Sequence, residues 1–218
     1  EVLELILDAH PRTAAEKDGN GMFPLHFAAS SSNPKVLKLI LDAHPGAAAE
    51  KDDMGMFPLH RAATNENPKV LELILDAHPG AAADKDDNGM LPLHYAIDWI
   101  KDPNIVKMIL HAHPEAAAKK DKYCRSPFHI ALQKKDPEVL KFIPEVLKLI
   151  LDAHPGAAAE KDDEGMLPLH HAAESLKLDV AKITLDAHPK AAKEKDSWGR
   201  LPLHHAVVSW ANDPNIVK

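Results

Sequence analysis

The chain has 218 residues with 26 basic and 33 acidic side chains, and its formal charge of -7 is spread without blocks of one sign. That pattern offers no polybasic surface to nucleic acid or an anionic membrane, and no run of about 18 apolar residues could span a bilayer. A single cysteine, Cys124, excludes an intrachain disulfide, and with no Asn-x-Ser/Thr acceptor this fits a reducing interior better than secretion.

In chain order, two markers set the phase. Pro-Leu-His, or Pro-Phe-His once, places His26, His60, His94, His129, His170 and His204, and His-Pro places His10, His44, His78, His113, His154 and His188. Successive steps are 34, 34, 35, 41 and 34 residues in both series. A fixed period of this length signals stacked repeats, each too small to bury its own apolar face. The boundaries read as a half repeat over 1–17, repeats over 18–51, 52–85, 86–120, 121–161 and 162–195, and a truncated repeat over 196–218. The whole of 1–218 then forms one array.

Each repeat reads as a polar turn, a helix, a loop and a second helix. Gly21 supplies the positive φ of the first turn, and Pro24 suits the first position of a helix that carries Leu25, Ala28 and Ala29 on one face. Asn33-Pro34 opens the second helix with a capping side chain, and Asn67-Pro68, Asp102-Pro103, Asp136-Pro137 and Asp213-Pro214 repeat the device. That helix buries Val36, Leu37, Leu39, Ile40, Leu41 and Ala43, leaves Lys38 and Asp42 outside, and stops at His44 because Pro45 follows. Residues 137–143 and 144–150 form a tandem duplication, which predicts a break near Phe142 to Pro144 and a surplus turn outside the stack.

Asp-x-x-Gly-x-x-Pro-Leu-His-x-Ala-Ala followed by a Val-x-x-Leu/Ile-Leu helix resembles the ankyrin repeat, and the tetratricopeptide Trp/Gly/Tyr pattern is absent. The resemblance implies an all-α, ankyrin-like solenoid of helix pairs joined by short β-hairpin-type turns. Here it is expected to be uncapped at both ends, because neither terminal half carries a polar outer face. The chain departs from the family pattern in two ways. The threonine before Pro-Leu-His becomes Phe23, Phe57, Leu91, Ser126, Leu167 or Leu201, and Cys124 stands where the turn glycine belongs.

The resemblance implies a non-catalytic scaffold that binds a protein partner through its concave face, built from turn tips and first helices. Residues that vary between matching repeats fall there. The position after the marker histidine runs Phe27, Arg61, Tyr95, Ile130, His171, His205, and the turn contributes Asn20, Met54, Asn88, Tyr123, Glu164 and Trp198. First-helix ends add Trp99 and Trp210. Tyr95, Trp99, Tyr123, Trp198, Trp210, Arg61 and His205 are therefore the candidate partner-binding residues, since aromatic and arginine anchors dominate interfaces.

A competing reading is a fibre, or a slice of a longer array, that stacks copies head-to-tail. Its contacts would be Val2, Leu3, Leu5, Ile6 and Leu7 at one end and Ile216 and Val217 at the other. No paired acid and base, phosphate loop or dinucleotide fingerprint marks an enzyme, and no catalytic residue, cofactor or metal ligand is assigned. The marker histidines read as backbone hydrogen-bonding groups and helix ends. His171 and His205 occupy equivalent positions, but no cysteine or carboxylate at ligand spacing supports a zinc or copper site there.

Overall fold

The computed structural model describes residues 2–99, 102–175 and 177–211, and all their regular secondary structure is helical. They gather into two compact units, Glu1–His113 and Pro114–Lys218. The first holds α1 (Val2–Ala9), α2 (Pro24–Ser30), α3 (Pro34–Ala43), α4 (Pro58–Ala62), α5 (Pro68–Ala77), α6 (Pro92–Asp98) and α7 (Pro103–Ala112). The second holds α8 (Pro127–Leu132), α9 (Pro137–Leu140), α10 (Ile143–Ala153), α11 (Pro168–Ser175), α12 (Leu178–Ala187) and α13 (Pro202–Ala211).

Local chemistry sets the helix limits. The Asn33 side chain accepts the backbone N–H groups of Lys35 and Val36, and Asn67, Asp102 and Asp136 each accept one at the same place. These bonds satisfy donors that have no partner inside the helix. Asp213-Pro214 lies outside the described residues. The second helices end where His44 and its equivalents leave helical backbone ahead of proline; His44 has φ -147° and ψ 79°. The following Pro-Gly-Ala-Ala-Ala is a short 3-10 turn, Pro45–Ala49 in its first full copy. Its alanines Ala47 and Ala48 are buried, being small enough to lie flat under the neighbouring helices.

Packing repeats from pair to pair within each unit. In the first, α2 lies on α4 and α4 on α6, while α3 lies on α5 and α5 on α7. In the second, α8 lies on α11 and α11 on α13, with α10 on α12. The marker leucines Leu25, Leu59 and Leu93 and the equivalent Phe128 are fully buried. From the second helices, Leu37, Leu71, Ile74, Ile109 and Leu147 meet them. Each such side chain contributes about 2 kcal/mol on burial. Ala28, Ala29, Ala62 and Ala96 keep the first helices close together.

The duplication breaks as proline requires. α9 ends at Leu140, Lys141 and Phe142 form a turn, and α10 restarts at Ile143 with Pro144 in its first turn. None of the α9 residues is buried, whereas Ile143, Val146, Leu147 and Ile150 are. The extra segment therefore leaves the core register of the second helix intact.

Candidate binding surface

The turn tips are built around one aspartate per repeat. Asp52 Oδ1 accepts the N–H groups of Met54 and Met56, at 2.9 and 3.0 Å, and Asp18, Asp86, Asp121, Asp162 and Asp196 do the same in their own turns. Gly21, with φ 71°, lets the next tip come close: Asp53 N–H donates to Asn20 O at 3.1 Å, and a Cβ on Gly21 would collide with the Asp53 carboxylate. Asp87 to Met54 and Ser197 to Glu164 repeat the bond at 3.1 Å. Cys124 adopts φ 58° in the glycine's place, and its Cβ occupies the side on which the next tip would approach. Among the described residues no bond joins Asp163 to Tyr123.

Below the tips lie the marker histidines. His26 Nδ1 accepts the Phe23 N–H at 3.1 Å, so the proton is on Nε2, which donates to Met56 O of the next repeat at 3.1 Å. His60, His129 and His170 make the same two bonds, the second reaching Met90, Met166 and Arg200 carbonyls at 3.3, 3.4 and 3.3 Å. An imidazolium could not accept at Nδ1, so the buried rings are neutral. Burial, aided at His129 by His171, pushes His60 and His129 down to about 4, and it also lowers His26 and His170. In place of the threonine hydroxyl, Phe23 and Phe57 make an apolar stacking contact with this imidazole. Only Ser126 retains a hydroxyl, 2.8 Å from His129 Nδ1.

The variable position after the marker histidine feeds the second oxygen of the turn aspartate. Arg61 reaches Asp52 Oδ2 at 2.8 Å, Tyr95 Oη donates to Asp86 at 2.6 Å, and His171 and His205 meet Asp162 and Asp196 at 2.9 Å. Burial alone would raise the Asp52 carboxyl, but the Arg61 guanidinium and the two turn amides hold it below the usual range. Asp121, Asp162 and Asp196 are lowered against the same burial penalty, by Arg125, His171 and the Arg200 turn amide respectively. Tyr95 is raised by burial and by donating to Asp86.

Comparison with known proteins follows the same geometry. A family model described as ankyrin repeats (3 copies) matches residues 1–87, 47–121 and 128–218. The chain belongs to the ankyrin repeat family. Its fold is similar to the crystal structure of the ankyrin repeat domain of Bcl-3, described as a unique member of the IkappaB protein family. The TM-score is 0.71 at 20% identity, covering 97% of this chain and 91% of that one. No curated protein is detectably similar in sequence. Ankyrin repeats are generally protein–protein interaction modules and a non-enzymatic scaffold family. No helix among the described residues is long and apolar enough to cross a membrane.

In this ankyrin repeat chain the candidate binding residues fall into two groups. Arg61, Tyr95 and His205 are occupied by the turn aspartates, and His205 Nδ1 also meets Glu174 at 2.7 Å. Trp99, Tyr123, Trp198 and Trp210 are exposed, at 60, 49, 58 and 59%. Trp210 lies six residues after His204, one further along than Trp99 after His94. At two tips the exposed ring carries a cation: Arg200 lies 4.7 Å from the Trp198 ring centre and Arg125 lies 5.0 Å from that of Tyr123. Both guanidiniums are anchored through Nε to Asp196 and Asp121. Arg125 and Arg200 were missed in the sequence, although Asp-x-x-x-Arg in those two turns alone was the available signal. Phe27 and Met54 were noted there only as variable positions, and they are exposed too. Of the end residues, Val2, Leu5 and Ile6 are exposed and Leu3 and Leu7 half-buried, while Ile216 and Val217 lie outside the described residues.

Proposed function

We propose that the chain, as a single array over 1–218, is a non-catalytic scaffold that holds a protein partner against its turn tips and first-helix ends. The observation that carries this reading is the pair of aromatic–arginine tips, Tyr123 with Arg125 and Trp198 with Arg200, in the unit Pro114–Lys218. Each ring is held outward by a turn whose own polar groups are satisfied by Asp121 or Asp196. Each guanidinium is fixed over its ring, so little side-chain entropy remains to be lost on binding. Rigid aromatics and arginines of this kind contribute most of the energy at protein interfaces. The paired substitution Tyr123→Ala with Trp198→Ala should abolish capture of the partners that the wild-type chain retains in a pull-down. Lys107→Ala, on the second helix α7, should leave capture unchanged. Identical capture by all three chains would remove the tips as anchors.

A second reading, a self-assembling fibre or a slice of a longer array stacking head-to-tail, would use the exposed apolar residues Val2, Leu5 and Ile6 of α1. Light scattering at rising concentration tests it. A mass that grows with concentration in the wild type and falls back to one chain in Leu5→Glu supports association, and a constant mass of one chain rejects it.

A further inference from the structure

The junction between repeats 121–161 and 162–195 differs in two ways from the junction that follows it. First, its tip-to-tip bond is missing, because Cys124 stands where a glycine would let the next tip approach. Second, its turn aspartate has no guanidinium or phenol. Asp52 has Arg61, Asp86 has Tyr95, Asp121 has Arg125 and Asp196 has Arg200. Asp162 Oδ2 instead meets His171 Nε2 at 2.9 Å, and the place of Arg125 and Arg200, four residues on, is taken by Met166. As at the next junction, where the His170 and His205 rings meet at 5.3 Å, the first helix brings a second imidazole to the same spot. The His129 ring lies edge-on to that of His171 with centres 5.7 Å apart, and its contact to Met166 O is 3.4 Å.

One potential donor atom from each of His129, Asp162 and His171 lies within 4.8 Å of the other two, and all three residues are buried. They carry one formal negative charge between them when both rings are neutral. An open cavity of about 730 Å³ reaches His171 and Met166 from solvent, with Glu164 and Glu174 on its wall beside Lys134 and Lys135.

We infer that His129, Asp162 and His171 form a divalent-cation site, best filled by Zn²⁺, that staples these two repeats where the backbone bond is absent. Two imidazole nitrogens and one carboxylate oxygen are a three-protein-ligand zinc set, and the cavity supplies water for the fourth position. The ion takes the place of the proton between His171 and Asp162 and of the one that His129 Nε2 gives to Met166 O; the His129 proton moves to Nδ1, where Ser126 Oγ at 2.8 Å accepts it. Closing the donors onto tetrahedral positions, with bonds near 2.0–2.1 Å, needs a shift of about an ångström. The sister cluster of His170, Asp196 and His205 does not offer the same site. The Arg200 guanidinium sits on Asp196 Oδ2 at 3.0 Å, and Glu174 holds His205 Nδ1 at 2.7 Å.

The molecule supplies the control. Tyrosine and arginine already serve the His171 position on other turn aspartates, as Tyr95 and Arg61, so His171→Tyr and His171→Arg retain a partner for Asp162. The chelator-stripped full chain is titrated with ZnCl₂ by calorimetry, and with Co²⁺ by visible absorption. Wild type should bind one equivalent and show tetrahedral cobalt bands. His171→Tyr should weaken that binding at least tenfold and remove the bands, and His205→Tyr should keep both. If His171→Tyr fails to fold by circular dichroism, His171→Arg is read in its place. No saturable one-to-one binding, binding unchanged in the folded His171 variant, or equal loss in His205→Tyr would each overturn the site.

Discussion

The junction of repeats 18–51 and 52–85 and that of repeats 121–161 and 162–195 use the same parts with different outcomes. At the first, Gly21 brings the tips within a backbone hydrogen bond, Arg61 neutralises Asp52, and His26 ties α2 to the next turn. At the second, Cys124 holds a left-handed conformation, no tip bond forms, and a histidine stands in for the arginine. The marker histidine still makes both of its bonds, and the core helices still pack. The tip bond and the cation are therefore dispensable for stacking. The imidazole bridge and the apolar face of the second helix are common to both junctions.

The largest test of that common part is pH. His60, in the regular stretch, and His129, in the irregular one, have folded values near 4, below the ordinary 6.5. A histidine with a depressed folded value favours the folded state at high pH. That stability is present above about 6.5, declines as pH falls, and is fully lost by about 4. Each ring stands for on the order of 3 kcal/mol over this window. Urea unfolding should therefore show a clear drop between pH 7 and pH 5. A midpoint that stays level down to pH 5 would contradict neutral buried rings at both junctions.

A smaller effect separates the two tips. Gly21→Ala should destabilise by about 1–2 kcal/mol, because φ is 71° and the new Cβ would press on Asp53. Cys124→Gly should instead stabilise by about 0.5–1 kcal/mol, since it relieves a non-glycine residue at φ 58° and removes the Cβ that stands between the tips. Thermal unfolding reads both, and changes of the same sign would mean that the two tips do not differ as described.

Helix positions were legible because proline, asparagine and aspartate act on their immediate neighbours. Pro24, Asn33-Pro34 and His44-Pro45 each decide a boundary within a turn of backbone, and the break before Pro144 follows from the same steric rule. The 3-10 turn at Pro45–Ala49 was not legible, since its alanines have no strong preference and take that shape under the helices that cover them. The candidate surface was half legible. Trp198, Tyr123 and Trp99 are exposed where variability pointed, but Arg61, Tyr95 and His205 vary for another reason, each being one of several side chains able to satisfy a turn aspartate.

By itself the sequence determined the period, the family, the helix limits and the buried stripe, all set by spacing and by contacts within a few residues of chain. Only the tertiary structure decided which variable side chains face solvent, and which side chain serves each turn aspartate. It also decided that His129 meets Asp162 and His171. His129 lies 33 and 42 positions before Asp162 and His171 and meets them across a repeat boundary, and a linear pattern does not encode the distance between them.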